Sequence, residues 1–152
     1  MRVATVLVLG ATALLGWACA STNLNQPPAP ASEQTSANDC AVIAAIAKEH
    51  YKFGPDNPPP PLKGGGDAKW RPDCDFDGQG FEFTEYDEAS PAQDPRERLK
   101  WVSFQKPEYS GNGATVQTEI MHGPLAGMGY ECRVLSGFAG WTVGECKVSW
   151  VS

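Results

Sequence analysis

The chain has 152 residues, 18 acidic side chains against 12 basic ones, and a net charge of −6. That length holds one small core once a leader and a polar segment are set aside, and the acidic balance excludes nucleic acid as a partner. Sixteen glycines and 13 prolines make up about a fifth of the residues, above the usual share, and predict long loops around a modest core.

Met1-Arg2 is followed by an apolar run from Val3 to Leu15. It is too short to span a bilayer and fits the apolar region of a secretory signal, whereas a buried N-terminal helix or strand would need a partner for a run with no polar face. The following Ala18-Cys19-Ala20-Ser21-Thr22 resembles the lipobox of bacterial lipoproteins, with Gly16 and Trp17 where that family usually has Leu and then Ala or Ser. The resemblance implies a signal over residues 1–18, a lipid on Cys19 that anchors the chain to a membrane, and, with Ala20 rather than aspartate next, sorting to the outer membrane. Ala18-Cys19-Ala20 is also a small-x-small site for an ordinary signal peptidase, which would remove residues 1–20 and release a periplasmic chain. The lipoprotein route is favoured because Cys-Ala-Ser-Thr runs into a polar, proline-bearing stretch.

Residues 19–38 read as that flexible tether, with almost nothing to bury. The domain is expected at 39–152. Val42, Ile43, Ile46 and Phe53 recur at helical spacing from Asp39 onward, with Asp39 or Ser36 as the cap and Gly54-Pro55 as the stop. Asp56 to Gly66, with four consecutive prolines and three consecutive glycines, predicts an exposed loop, stiff and then loose. Phe81 to Tyr86 alternates like a strand, and Asp94-Pro95-Arg96-Glu97 can open a short helical turn to about Lys100. Trp101–Gln105, Ala114–His122, Met128–Ser136 and Trp141–Val151 are rich in β-branched and aromatic residues separated by glycine-bearing turns. The expected fold class is therefore α+β: one N-terminal helix packed on a curved antiparallel sheet, loop-rich and stapled by disulfides. The ending, from Tyr130-Glu131-Cys132 through Gly140-Trp141 to Trp150-Val151-Ser152, resembles the closing hairpin of many uncharacterised bacterial exported proteins and, more loosely, the last hairpin of cystatin-like rolls. That is a packing pattern and brings no catalytic residues.

With Cys19 set aside, Cys40, Cys74, Cys132 and Cys146 form an even set, which in an exported domain favours two disulfides. Four cysteines permit three pairings. Cys40 to Cys74 and Cys132 to Cys146 are expected, the second across neighbouring strands of a hairpin and the first closing the loop-rich half. No Cys-x-x-Cys pair exists and there are two histidines, so the spacing gives little support to a metal site.

Asp73-Cys74-Asp75-Phe76-Asp77-Gly78 resembles the opening of an EF-hand calcium loop, which makes Asp73, Asp75 and Asp77 candidate calcium ligands. Thr84 stands where the closing glutamate belongs, Glu85 comes one residue late, and an acidic turn stapled by Cys74 explains the same letters. Calcium apart, no cofactor is expected. His122 to Gly129 is glycine-dense but lacks the ending of a phosphate loop, so it reads as a strand-to-strand connection. His50 is expected on the solvated face of the helix, and His122 at a strand end, within reach of Glu119 or a serine. No nucleophile elbow, zinc-binding helix or free cysteine nucleophile is present. Trp101, Trp141 and Trp150 are expected to be core, while Trp70, flanked by glycine and proline, is the candidate partner contact. These features describe an exported envelope protein without evident catalytic machinery, meeting a protein or glycan partner. A small inhibitor of a host or envelope enzyme is the alternative from the binding class, and a hydrolase using His122 with a carboxylate is the enzymatic one.

Overall fold

The computed structural model describes residues 31–89 and 99–152. The expected signal, Cys19, the start of the tether and the Asp94 to Glu97 turn lie outside the described residues. One long helix packs against a mixed six-stranded sheet. The helix α1 spans Ala31–Ala45, so it takes in residues 31–38 of the stretch read as tether, where Ala31, Glu33 and Gln34 are good helix formers. Asp39 is consequently an interior helix residue. It is buried and accepts a 2.5 Å hydrogen bond from the Tyr109 hydroxyl, in place of the expected cap role.

The strands are β1 (Leu62–Gly64), β2 (Lys100–Phe104), β3 (Glu108–Ser110), β4 (Gly113–His122), β5 (Gly127–Gly137) and β6 (Gly140–Val151). Their order is β1-β2-β4-β5-β6, with β3 also on β4. The expected meander strands are β2, β4, β5 and β6. The purely antiparallel expectation is corrected at the edge, where β1 runs parallel to β2 and pairs Leu62 with Val102. β2 and β3 share one side of β4, interrupted at Lys106-Pro107, because proline cannot donate to a ladder.

The segment read as an exposed loop therefore contains a strand, and its glycines are not loose. A methyl group on Gly65 would lie 2.1 Å from the Phe104 carbonyl oxygen, so the edge closes only because Gly65 has no side chain. Phe81 to Tyr86 keeps the expected alternation, with Phe81 buried and Phe83 half-buried. It joins the sheet by one bridge, Leu62 with Glu85, because β1 is three residues long.

Val42, Ile43 and Ile46 of the helical segment are fully buried, as their spacing predicts, and share one core with Val102, Phe104, Val116 and Val134. Two disulfides join Cys40 to Cys74 and Cys132 to Cys146, in the expected pairing. The first ties the middle of α1 to the long loop. The second crosslinks directly opposed residues of β5 and β6.

Candidate functional site

The final turn of the helix widens into a π turn, Ile46–His50. The Tyr51 N–H bonds to the Ile46 carbonyl at 3.2 Å and the Phe53 N–H to the Ala47 carbonyl at 2.9 Å. Lys52 takes the left-handed conformation expected of Gly54, with φ 61°. The Asn57 side-chain amide then donates to the carbonyls of Tyr51 and Lys52 at 3.1 and 3.2 Å, satisfying acceptors that the helix end leaves open. A wide turn rotates the residues that follow away from a 3.6-residue repeat. His50, four residues after the fully buried Ile46, shares its face and is half-buried rather than solvated. Its ring meets the edges of Tyr51 and Tyr130, with centroids at 4.8 and 4.4 Å. Burial, helped by the Lys52 charge, pulls the His50 imidazole below its ordinary pKa and favours its neutral form.

Tyr51 is fixed in turn by a hydrogen-bond chain. The Thr118 hydroxyl donates its one proton to the Ser103 carbonyl at 2.7 Å, so at 3.0 Å the Tyr51 hydroxyl is the donor to Thr118. Burial drives the Tyr51 phenol well above its usual pKa, outweighing the opposing effect of the Thr118 bond.

Beside this turn a cavity of about 850 Å³ opens between the helix end, Pro58 to Pro61, and the sheet margin where β4 ends. Its size falls within the range of small-ligand sites. His50, Tyr51, Phe53 and Tyr130 form its inner wall, the four prolines a stiff second wall, and Glu85, Tyr86, Asp87, Lys100 and His122 its polar margin. Lys100 and His122 are cross-strand partners, which brings two basic side chains to one face of the sheet. The site thus combines flat apolar surfaces with groups of both charge signs.

His122 is exposed at the end of β4 and joins this cavity, but not with Glu119. Residues three apart on a strand point to opposite faces, and Glu119 accepts instead from the Trp150 indole at 3.2 Å. That far face of the sheet carries Trp150 across two glycines. A methyl on Gly129 would lie 2.1 Å from the indole nitrogen, and one on Gly127 the same distance from the Met121 sulfur. Gly127 and Gly129 make room for these side chains within β5, so the strand-to-strand connection expected over His122 to Gly129 is confined to residues 123–126. Trp101 lies on the same face under the Lys63 ammonium, 4.5 Å from the ring centroid. Trp141 meets Tyr109 edge-on at 5.9 Å. All three strand tryptophans are half-buried.

Trp70 is also half-buried, at the base of a tight hairpin in which it exchanges backbone hydrogen bonds of 2.8 and 2.9 Å with Gly65. Asp73, Asp75 and Asp77 are exposed around the Cys74 staple. Asp75 accepts the Asp77 N–H at 2.9 Å, and the left-handed glycine of this turn is Gly80, φ 84°, rather than Gly78. Their carboxylates do not converge on one point. Among the described residues, the ligating atoms that do converge belong to His50, Cys132 and Cys146, all within 4.8 Å of one another, with both sulfurs engaged in the disulfide.

The proline wall and the Tyr51–Thr118 chain were not found by sequence reasoning. The composition of Pro58 to Pro61 signalled stiffness, but nothing local showed that it faces the helix end. Among the described residues no helix is long and apolar enough to cross a membrane, and the two disulfides are compatible with an exported protein. No protein-family model, curated protein or solved structure matches the chain.

Proposed function

We propose that this protein is an exported cell-envelope binding module, held by a lipid on Cys19 or released to the periplasm, that engages an envelope protein or glycan through the cleft at the helix end. The observation that carries the reading is the cleft itself. Aromatic rings held by the π turn face a proline wall across about 850 Å³, with Lys100 and His122 at its margin. Flat apolar walls with a few polar groups suit stacking against a sugar ring or a peptide side chain, and rigid walls lower the entropic cost of binding. The export signal, the lipobox-like residues and the paired cysteines support the location.

Capture of solubilised envelope components on the purified full chain tests this, with a Tyr86→Ala/His122→Ala variant as comparison. Capture that the variant loses supports the cleft, and equal capture by both refutes it. Intact mass of membrane and soluble fractions tests the anchor, since a chain beginning at acylated Cys19 and one beginning at Ser21 differ by Cys19, Ala20 and the lipid.

A second reading is favoured by one observation: His122 lines the same cleft as Glu85 and Asp87, so a hydrolase would use His122 with one of these carboxylates. Glu85 is already paired with Arg71, which leaves Asp87 the stronger candidate. Activity profiling on ester, peptide and glycoside substrates decides it, because identical null results from wild type and His122→Ala would remove the enzyme.

A further inference from the structure

The hairpin disulfide sits against the His50 imidazole. Cys132 and Cys146 are directly opposed on β5 and β6, with Cα atoms 4.0 Å apart, so their side chains stay on one face of the sheet even when the bond is open. The face they share is the one the helix covers. From the π turn, His50 places a ring nitrogen within 4.8 Å of both sulfurs, held there by the ring edges of Tyr51 and Tyr130.

We propose that the reduced hairpin is a metal site, in which His50, Cys132 and Cys146 bind one thiophilic divalent cation of the zinc class. The disulfide is its closed form. Opening it requires a dithiol reductant: the two thiols of the reductant become a disulfide, the Cys132–Cys146 bond breaks, and each sulfur gains one proton and one electron. The cation then displaces the two thiol protons to solvent and forms two metal–sulfur bonds and one metal–nitrogen bond.

Three physical points support the assignment. Tetrahedral zinc with bonds of roughly 2.0 to 2.3 Å requires ligand atoms about 3.5 to 3.8 Å apart, so the sulfurs need only separate by side-chain rotation while the imidazole stays nearly in place. Two thiolates and a divalent ion sum to no net charge, which suits Cys132, whose side chain is fully buried. Cys146 is half-buried, which leaves the fourth coordination position on the solvent side, open to water or an incoming ligand. This site was invisible in the spacing of the cysteines. Its third ligand comes from a helix that is distant in sequence, and the hairpin pair has no Cys-x-x-Cys pattern.

The test uses the full chain, oxidised and dithiol-reduced, with the reductant removed without oxygen, titrated with cobalt as a spectroscopic probe for zinc. The reduced protein should bind one cobalt per chain with thiolate-to-metal charge-transfer absorption, and the oxidised protein should show none. His50→Ala should weaken binding by about tenfold or more, a loss comparable to that seen on disturbing metal-site ligands elsewhere. Cys40→Ser/Cys74→Ser should keep the absorption, because the other disulfide is not part of the site. No charge-transfer band in the reduced wild type, or an undiminished one in His50→Ala, overturns the proposal. If the double serine variant does not fold, X-ray absorption of the reduced wild type with one zinc decides: two sulfurs with an imidazole support the site, and three or four sulfurs, or no imidazole, overturn it.

Discussion

Replacing Thr118 by valine tests whether the wall of the cleft is held by the hydrogen-bond chain through Tyr51. Thr118 is 1 % exposed, and its hydroxyl lies between the Ser103 carbonyl at 2.7 Å and the Tyr51 hydroxyl at 3.0 Å. Valine nearly preserves the volume and removes both bonds. The carbonyl loses one partner, worth about 1 kcal/mol, and a largely desolvated tyrosine hydroxyl is orphaned at about 1 to 3 kcal/mol. Because Tyr51 also lines the cleft, water can recover part of that second cost. The expected destabilisation is about 2 to 3 kcal/mol, read from urea unfolding with the disulfides intact. Tyr51→Phe alone removes a donor and leaves the Thr118 bond to Ser103 in place, so it should cost about 1 kcal/mol. Combined with Tyr51→Phe, Thr118→Val should cost about 1 kcal/mol less than it does alone, because no hydroxyl is left to orphan. Additivity of the two costs within about 0.5 kcal/mol, or a Thr118→Val variant as stable as wild type, would refute the reasoning.

Other expected outcomes follow from the same geometry. Gly65→Ala forces a methyl against the Phe104 carbonyl and should destabilise by about 3 kcal/mol on thermal melting, whereas Gly80→Ala, with open space but φ 84°, should cost about 1 kcal/mol. Removing the Cys40–Cys74 bond, which closes 34 residues, should cost about 4 kcal/mol and removing Cys132–Cys146, which closes 14, about 3, by denaturant midpoints of the serine pairs. Glu49 accepts the Val143 N–H at 2.8 Å and ties the π turn to β6, so Glu49→Ala should increase exchange of the Val143 amide measured by hydrogen–deuterium NMR. His50 has a folded pKa lowered from 6.5, mainly by burial, so below that value the unfolded chain binds a proton that the native protein does not. Stability from this group is complete above the unfolded pKa and falls as pH drops below it. His50→Asn should flatten the profile as pH falls below about 6.5, and an unchanged slope there would sink the assignment.

Local chemistry made the meander legible. Alternation and β-branched content located β2, β4, β5 and β6 because each is long enough to carry a repeat, and the glycine-bearing turns between them left few registers for Cys132 and Cys146. The parallel edge was illegible for the opposite reason. Leu62–Gly64 is too short to show a period, and the glycines that permit its close approach to Phe104 look like a flexible linker when read without the neighbouring strand. Asp39 shows the same limit. As a letter it is a helix cap, and only the position of Tyr109, 70 residues away, turns it into a buried acceptor.

His50 is expected in solvent and found half-buried, because it continues the buried face of Ile43 and Ile46. His50 follows the fully buried Ile46 by four residues, so a 3.6-residue repeat already keeps the two on one face, and the π turn carries that face against Tyr130 and β6. The same turn places Tyr51 in reach of Thr118 and lets the Glu49 carboxylate reach the Val143 N–H. The same helix end thus supplies the inner wall of the cleft and brings an imidazole to the hairpin sulfurs. Substitutions that shift this helix end should therefore disturb ligand capture and metal binding together, because His50 belongs to both, whereas changes at Pro58 to Pro61 or His122 should affect only the cleft. Separate loss of the two properties in variants of the turn would show that they do not depend on a common support.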